Sequence, residues 1–215
     1  MRARTRHDVD IPAGEVSLLG DMTVPDGVAG VVVFAHGSGS SRKSPRNRQV
    51  AETLNHAGLA TLLFDLLTPE EELDRSNVFD ISLLANRLQA ATVWVPQGTE
   101  DRLPVGYFGA STGAAAALWA AAELGHEISA VVSRGGRPDL AGPRLAQVPA
   151  PTLLIVGEKD REVLELNRQA QKAMRCPTEL AIVPGATHLF EEPGALEEVA
   201  RLATEWFAKY LRDAR

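Results

Sequence analysis

Residues 105–124 read VGYFGASTGAAAALWAAAEL, and this stretch decides the fold. A short apolar run leads into Gly109, Ser111 and Gly113, and then directly into an alanine-rich segment of helical composition. A G-x-S-x-G pattern between a buried strand and a helix describes a sharp, strained turn that lifts a serine out at the strand's C-terminal end. The glycines have a mechanical reason, since side chains flanking such a turn collide with the adjoining strand and helix. Ser111 then stands at a helix N-terminus, where free N–H groups favour developing negative charge. Five residues alone are a weak pattern that other Gly- and Ser-containing turns also match; the surrounding strand, helix and partner residues give it weight.

Outward from this stretch, short apolar runs alternate with segments of helical period. VVVFAH from Val31, ATLLFD from Ala60, ISAVVS from Ile128, TLLIVG from Thr152 and ELAIV from Glu179 read as further buried strands. Such alternation is the signature of an α/β protein with a mostly parallel sheet and helices on both faces. EVSLLGDMTV, residues 15–24, reads as an antiparallel first strand or hairpin, and the residues before it as a solvated tail or edge strand. Val78, Ile81, Leu84 and Leu88 form one helical stripe, and Val163, Leu166 and Ala170 lie in the helix after TLLIVG. Leu196, Val199, Ala203, Phe207 and Tyr210 form a last stripe, all of them core positions. No repeat or linker divides residues 1–215, so one domain is expected. Residues 134–151 are too few for an inserted cap domain, which predicts an open site.

Composition narrows the function. Apolar residues at 45% and charged residues at 23% are ordinary for a globular chain. A net charge of −6 gives no footprint for nucleic acid and no attraction to anionic lipid, so a small molecule is the expected partner. Cys176 is the single cysteine, which rules out an intrachain disulfide. Arg2, Arg4 and Arg6 are followed by Asp8 and Asp10 where a signal peptide needs an apolar run, and no stretch is long enough to span a membrane. A cytoplasmic setting is expected.

An alcohol is a poor nucleophile at neutral pH, so Ser111 needs a base, and the base needs a third group to fix its tautomer. In this fold they follow in the order nucleophile, acid, histidine. Of the five histidines, His188 in GATHLFEEP (185–193) alone lies beyond both Ser111 and an acid. His7 belongs to the tail, His56 and His126 sit near helix C-terminal ends, and His36 is expected to brace its loop. Two aspartates qualify as the acid: Asp160 in IVGEKD, just after a strand, is preferred, and Asp139 in SRGGRPD is the alternative, with a duller role as a helix cap. The oxyanion hole calls for two backbone donors, expected at Thr112 and, in HGSGSS (36–41), at Ser38. Arg42, Lys43, Arg46 and Arg48 follow that loop, and Arg134 and Arg137 follow the strand after the elbow. Arg134 and Arg42 are the candidates to bind a carboxylate or phosphate on the substrate; the plainer alternative is surface charge, or a local pair of Arg134 with Asp139.

With these residues in hand, the sequence resembles the dienelactone hydrolase family of α/β-hydrolases, especially its small stand-alone members. The likeness rests on HGSGSS with SPRN after it, GASTGAAAAL, SRGGRPDLAG, GEKD followed by VLELNR, and GATHLFEEPGALEEV, from about residue 30 to the end. The resemblance implies an eight-stranded, mostly parallel sheet and a triad on Ser111, Asp160 and His188. One departure is plain: dienelactone hydrolases proper carry a cysteine nucleophile, whereas this elbow carries Ser111. A serine esterase acting on carboxylic esters, small esters or lactones, is therefore the expected function, with no metal or organic cofactor required. Thioester cleavage or acyl transfer by the same triad, and a catalytically silent ligand-binding protein on this fold, are the alternatives.

Overall fold

The computed structural model describes residues 4–95 and 103–212. The chain opens with β1 (Arg4–Ala13) and β2 (Val16–Pro25), an antiparallel hairpin whose two-residue turn starts at Gly14, φ +72°. The charged RTRHDVD segment, left open above as tail or edge strand, is thus an edge strand paired along its whole length. Its alternating charges suit an edge, where they discourage pairing with other chains. Arg2 lies outside the described residues.

The six expected strands follow as β3 (Val31–Ala35), β4 (Ala60–Phe64), β5 (Val105–Ala110), β6 (Ile128–Arg134), β7 (Thr152–Gly157) and β8 (Thr178–Val183). They form one eight-stranded sheet in the order β1-β2-β4-β3-β5-β6-β7-β8, parallel from β4 to β8 and antiparallel at the hairpin. The near-continuous apolar character of β3 to β7 has its cause in cover on both faces, whereas β8, at the edge, is mostly half-buried or exposed. In β3, Val31, Val33 and Ala35 enter one core and Val32 and Phe34 the other.

The helices are α1 (Pro45–His56), the short α2 (Pro69–Glu72) and α3 (Arg75–Phe79), α4 (Ile81–Trp94), α5 (Thr112–Leu124), α6 (Arg161–Ala173) and α7 (Ala195–Arg212). α1 and α7 cover one face; α4, α5, α6 and a 3₁₀ stretch at Pro138–Gln147 cover the other. That stretch is all that stands between β6 and β7, as the expected lack of a cap requires. One expectation needs correction. The stripe from Val78 to Leu88 is two helices, because Asp80 adopts an extended conformation and caps α4 by accepting from the Leu83 N–H at 3.0 Å. In α6 the buried face is Val163, Leu164, Asn167 and Ala170, while Leu166 is only half-buried.

The strand ends align, Ala35 opposite Gly109, Ala110 opposite Arg134 and Arg134 opposite Ile155. The loops after β3, β5, β6, β7 and β8 therefore share the C-terminal edge of the sheet. The order reverses between β3 and β5, the point at which open α/β sheets form a binding crevice. Among the described residues no helix is long and apolar enough to cross a membrane.

Candidate active site

Ser111 has φ 51° and ψ −121°, one of two non-glycine residues with positive φ among the described residues. Such a conformation costs about 1–3 kcal/mol and persists only where its surroundings fix it. Here the Ser111 N–H donates to Arg134 O at 3.2 Å, and its carbonyl accepts from the N–H groups of Ala114 and Arg137, both at 3.1 Å. A methyl group at Gly113 would lie 2.2 Å from Ala35 O, and one at Gly109 would lie 2.4 Å from Ala114 Cα. Both glycines of the pattern are thus demanded by close approach. Among the described residues Ser111 Oγ makes no hydrogen bond, and it stands at the edge, half-buried.

Asp160 and His188 come from neighbouring loops that are zipped together by their backbones. Glu158 N–H donates to Val183 O at 3.0 Å, Lys159 N–H to Ala186 O at 2.9 Å, and Gly185 N–H to the Glu158 carboxylate at 2.7 Å. At the end of this seam His188 Nδ1 meets Asp160 Oδ2 at 2.6 Å. Asp160 occupies the N-cap position of α6 yet makes no capping bond, so its carboxylate is free for the imidazole. Asp139, the alternative acid, is instead gripped by Arg137, Nε to Oδ1 at 2.9 Å and Nη2 to Oδ2 at 2.8 Å. It neither caps a helix with its side chain nor pairs with Arg134 as considered above.

Two residues that sequence reasoning passed over hold the histidine loop. Glu192 accepts the Thr187 N–H with both carboxylate oxygens at 3.1 Å, which holds its carboxyl below the usual range. Phe190 has φ 57° and is 1% exposed, a bulky side chain anchored in the core at the expense of backbone strain. Both lie inside the quoted GATHLFEEP segment, but neither role leaves a local sequence signal. Asn167 is a third: fully buried on α6, it donates to Gly136 O at 2.9 Å and so pins the loop that carries Arg137. Its signal was a polar residue on the helix's buried face.

On the other side of Ser111, His36 braces its loop as expected. It is buried and its pKa is lowered, chiefly by desolvation. Its Nε2 accepts the Leu66 N–H at 3.1 Å, so the proton sits on Nδ1, which donates to Gly37 O at 3.0 Å. Thr112 N–H has no acceptor among the described residues. Ser38 is adjacent, but its N–H is occupied: it donates to Thr112 Oγ1 at 2.9 Å. Arg42 does not join the site, because Asp65 holds both its backbone N–H and its guanidinium, with Asp21 3.9 Å away. Arg134 is 8% exposed and lies 5.9 Å from the Phe190 ring.

A cleft of about 380 Å³ opens beside the elbow, bounded by residues 36–41 and Thr112 on one side and by Leu66, Leu67, Val78 and Leu84 on the other. Among the described residues no three His, Cys, Asp or Glu side chains converge in the manner a metal ion requires.

Comparison with known proteins bears on the family and the fold. The profile of the dienelactone hydrolase family matches residues 19–211. The crystal structure of a dienelactone hydrolase from Anabaena variabilis is 56% identical, covers 97% of this chain and 99% of its own, and superposes with a TM-score of 0.93. Est1E from Butyrivibrio proteoclasticus shares the fold at 16% identity and a TM-score of 0.80, over 94% of this chain and 98% of its own. Two curated proteins of Mycobacterium tuberculosis, carrying the provisional name of phosphoribosyl transferase, are 62% identical over 205 residues, 95% of this chain but only 46% of theirs. The chain thus spans about half the length of these relatives. On its sheet order, its strained serine elbow and these matches, the chain belongs to the dienelactone hydrolase family, with the α/β-hydrolase fold.

Proposed function

We propose that this chain is a serine hydrolase that cleaves carboxylic esters through an acyl-enzyme on Ser111. The observation that carries the reading is the 2.6 Å contact of His188 Nδ1 with Asp160, made on the same sheet edge as the strained elbow. With the Nδ1 proton donated to Asp160, His188 Nε2 keeps a lone pair for the Ser111 proton. Ser111 Oγ attacks the ester carbonyl, and the new oxyanion accepts the Thr112 N–H at the start of α5. Ser38 supplies the second donor once its N–H leaves Thr112 Oγ1 for the more negative oxygen. His188 returns the proton to the leaving alcohol, then activates a water that releases the acid. Removing one oxyanion donor from such a site typically costs on the order of 3 kcal/mol.

The test is turnover of p-nitrophenyl acetate and butyrate. Ser111→Ala abolishes it while the fold is retained, because loss of Oγ removes the nucleophile without opening a cavity. Undiminished turnover in cleanly purified Ser111→Ala contradicts the proposal. The single cysteine suits a reducing compartment, and we place the activity in the cytoplasm.

The longer relatives carry the name of a phosphoribosyl transferase while this chain matches 46% of their length, and we propose that any such transfer belongs to the half that this chain does not match. This chain alone should then release no pyrophosphate from a phosphoribosyl diphosphate donor, and release at a rate comparable with ester turnover contradicts that division.

A further inference from the structure

Arg134 ends β6, and its side chain leaves the sheet on the face of α1 and α7, the face of Ala130 and Val132 in the same strand. It is buried, and its Nε and Nη1 are sealed from solvent with no hydrogen-bond partner among the described residues. The acid nearest in sequence, Asp139, is committed to Arg137. The charged neighbour that acts on Arg134 is another cation, Arg46 at the start of α1. Among the described residues Arg46 also has a sealed, unpartnered Nε, and its ion pair is with the exposed Glu191 at 3.3 Å. Desolvation, with a smaller push from Arg46, lowers the Arg134 guanidinium to about 10, so it remains charged at neutral pH.

A buried charge with no ionic or hydrogen-bonding partner, only the Phe190 ring at 5.9 Å, is costly, by several kcal/mol in a real protein. Such an arrangement persists where an anion relieves it. The backbone that carries this side chain adjoins the elbow and the histidine loop: Arg134 O accepts the Ser111 N–H, and a methyl group on Gly135 would lie 3.2 Å from His188 O. The side chain lies on the opposite face of the sheet from the cleft beside Leu66 and Leu84, which belong to the other core and form the apolar side of that cleft. The charge count selects the anion. A carboxylate would neutralise one guanidinium, whereas a phosphate monoester carries about −1.5 to −2 and three strong acceptor oxygens, enough for both.

We propose that Arg134 and Arg46 form a phosphate subsite beside Ser111, so that the ester cleaved is one that also bears a phosphate monoester. The substrate lies across Ser111 with its apolar part in the cleft and its phosphate on the two arginines. The phosphate is a handle and is not transferred. This rests on the hydrolase reading for its substrate and on the arginines alone for its binding, and the two are tested apart.

Binding is tested in Ser111→Ala, which needs no turnover, by calorimetric titration with inorganic phosphate at fixed ionic strength. One saturable site is expected, with acetate binding more weakly. Adding Arg134→Met should weaken phosphate at least about tenfold, the size of a lost charge-assisted hydrogen bond. Arg46→Met should weaken it less, and Arg134→Lys, which keeps charge and stem in case methionine disturbs the fold, should fall between. No saturable phosphate, acetate bound as tightly, or binding undiminished in both Arg134 variants overturns the subsite.

Specificity is tested in the wild type with the p-nitrophenyl esters of 4-phosphonobutyrate, glutarate and valerate, which differ only at the far end of the acyl chain. The expected order of kcat/KM is phosphonate, carboxylate, neutral, and Arg134→Met should collapse the ratios between them. Equal rates on all three, or ratios unchanged by Arg134→Met, overturn the assigned substrate class. Failure to hydrolyse any of them, with phosphate still bound through Arg134, counts against the hydrolase reading and not against the subsite.

Discussion

Asp160 and Asp139 show how alike two aspartates look in a sequence and how differently they are used. Each follows a parallel strand on the same sheet edge, but one carboxylate is held by an imidazole and the other by a guanidinium. Asp160→Asn should therefore lower kcat by as much as ~10⁴, the fall seen when a serine triad loses its acid, while Asp139→Asn leaves kcat nearly unchanged. Steady-state kinetics on p-nitrophenyl butyrate decide between them, and the reverse ranking moves the acid to the β6 loop. His36 gives a prediction about stability. Burial holds it below its ordinary 6.5, so as pH falls through that value the unfolded chain takes up a proton that the folded chain refuses. The neutral folded form is thus favoured above about pH 6.5, and its contribution drains away on acidification below it. Urea midpoints measured from neutral pH to about pH 5 should fall more steeply in the wild type than in His36→Gln, whose amide does not titrate in that window. Parallel slopes would show that other groups carry the acid sensitivity. The turn at Ser111 and the pairing of His188 with Asp160 were legible because chain order and local pattern are properties of the sequence. The Ser38 N–H and the Arg42 guanidinium were not, because occupancy of a donor depends on Thr112 and Asp65, which chain order does not bring near them.

At the scale of elements, α6 does two jobs for the site. Its N-terminus presents Asp160, and on its buried face Asn167 ties down Gly136, next to the Arg137 N–H that holds the Ser111 carbonyl. Asn167→Ala should cost about 1–3 kcal/mol, the penalty for orphaning a buried polar group, measured by urea unfolding. Because the loop it pins supports the elbow, kcat should fall with little change in KM. An unchanged kcat would confine Asn167 to a structural role. β3 to β7 could be read almost to the residue because strands buried on both faces are unbroken apolar runs. α3 and α4 could not be separated, since Asp80 keeps the helical spacing of the apolar residues around it, and only its extended backbone turns it into a cap. The charged β1 stayed open between tail and edge strand because pairing with β2, and not an apolar face of its own, makes it a strand.

At the scale of the whole molecule, one sheet between two helical layers presents a rigid edge, and the candidate site residues are carried on the loops of that edge. Only the 3₁₀ stretch at Pro138–Gln147 joins β6 to β7, so the substrate is held by the cleft of about 380 Å³ and by the loops themselves. That volume is near the lower end of ligand pockets, roughly 300–1,000 Å³, so short acyl chains should be preferred. In a p-nitrophenyl ester series kcat/KM should be highest for acetate or butyrate and fall toward laurate; a rise with chain length would place the acyl group outside this cleft. The central claim is that the strained elbow makes Ser111 the nucleophile, and the most direct measurement is covalent labelling with a fluorophosphonate followed by peptide mass mapping. The account predicts one adduct per chain, on Ser111, formed slowly or not at all in His188→Ala. A folded protein that takes no label, or one labelled at another residue with Ser111 unmodified, would contradict it.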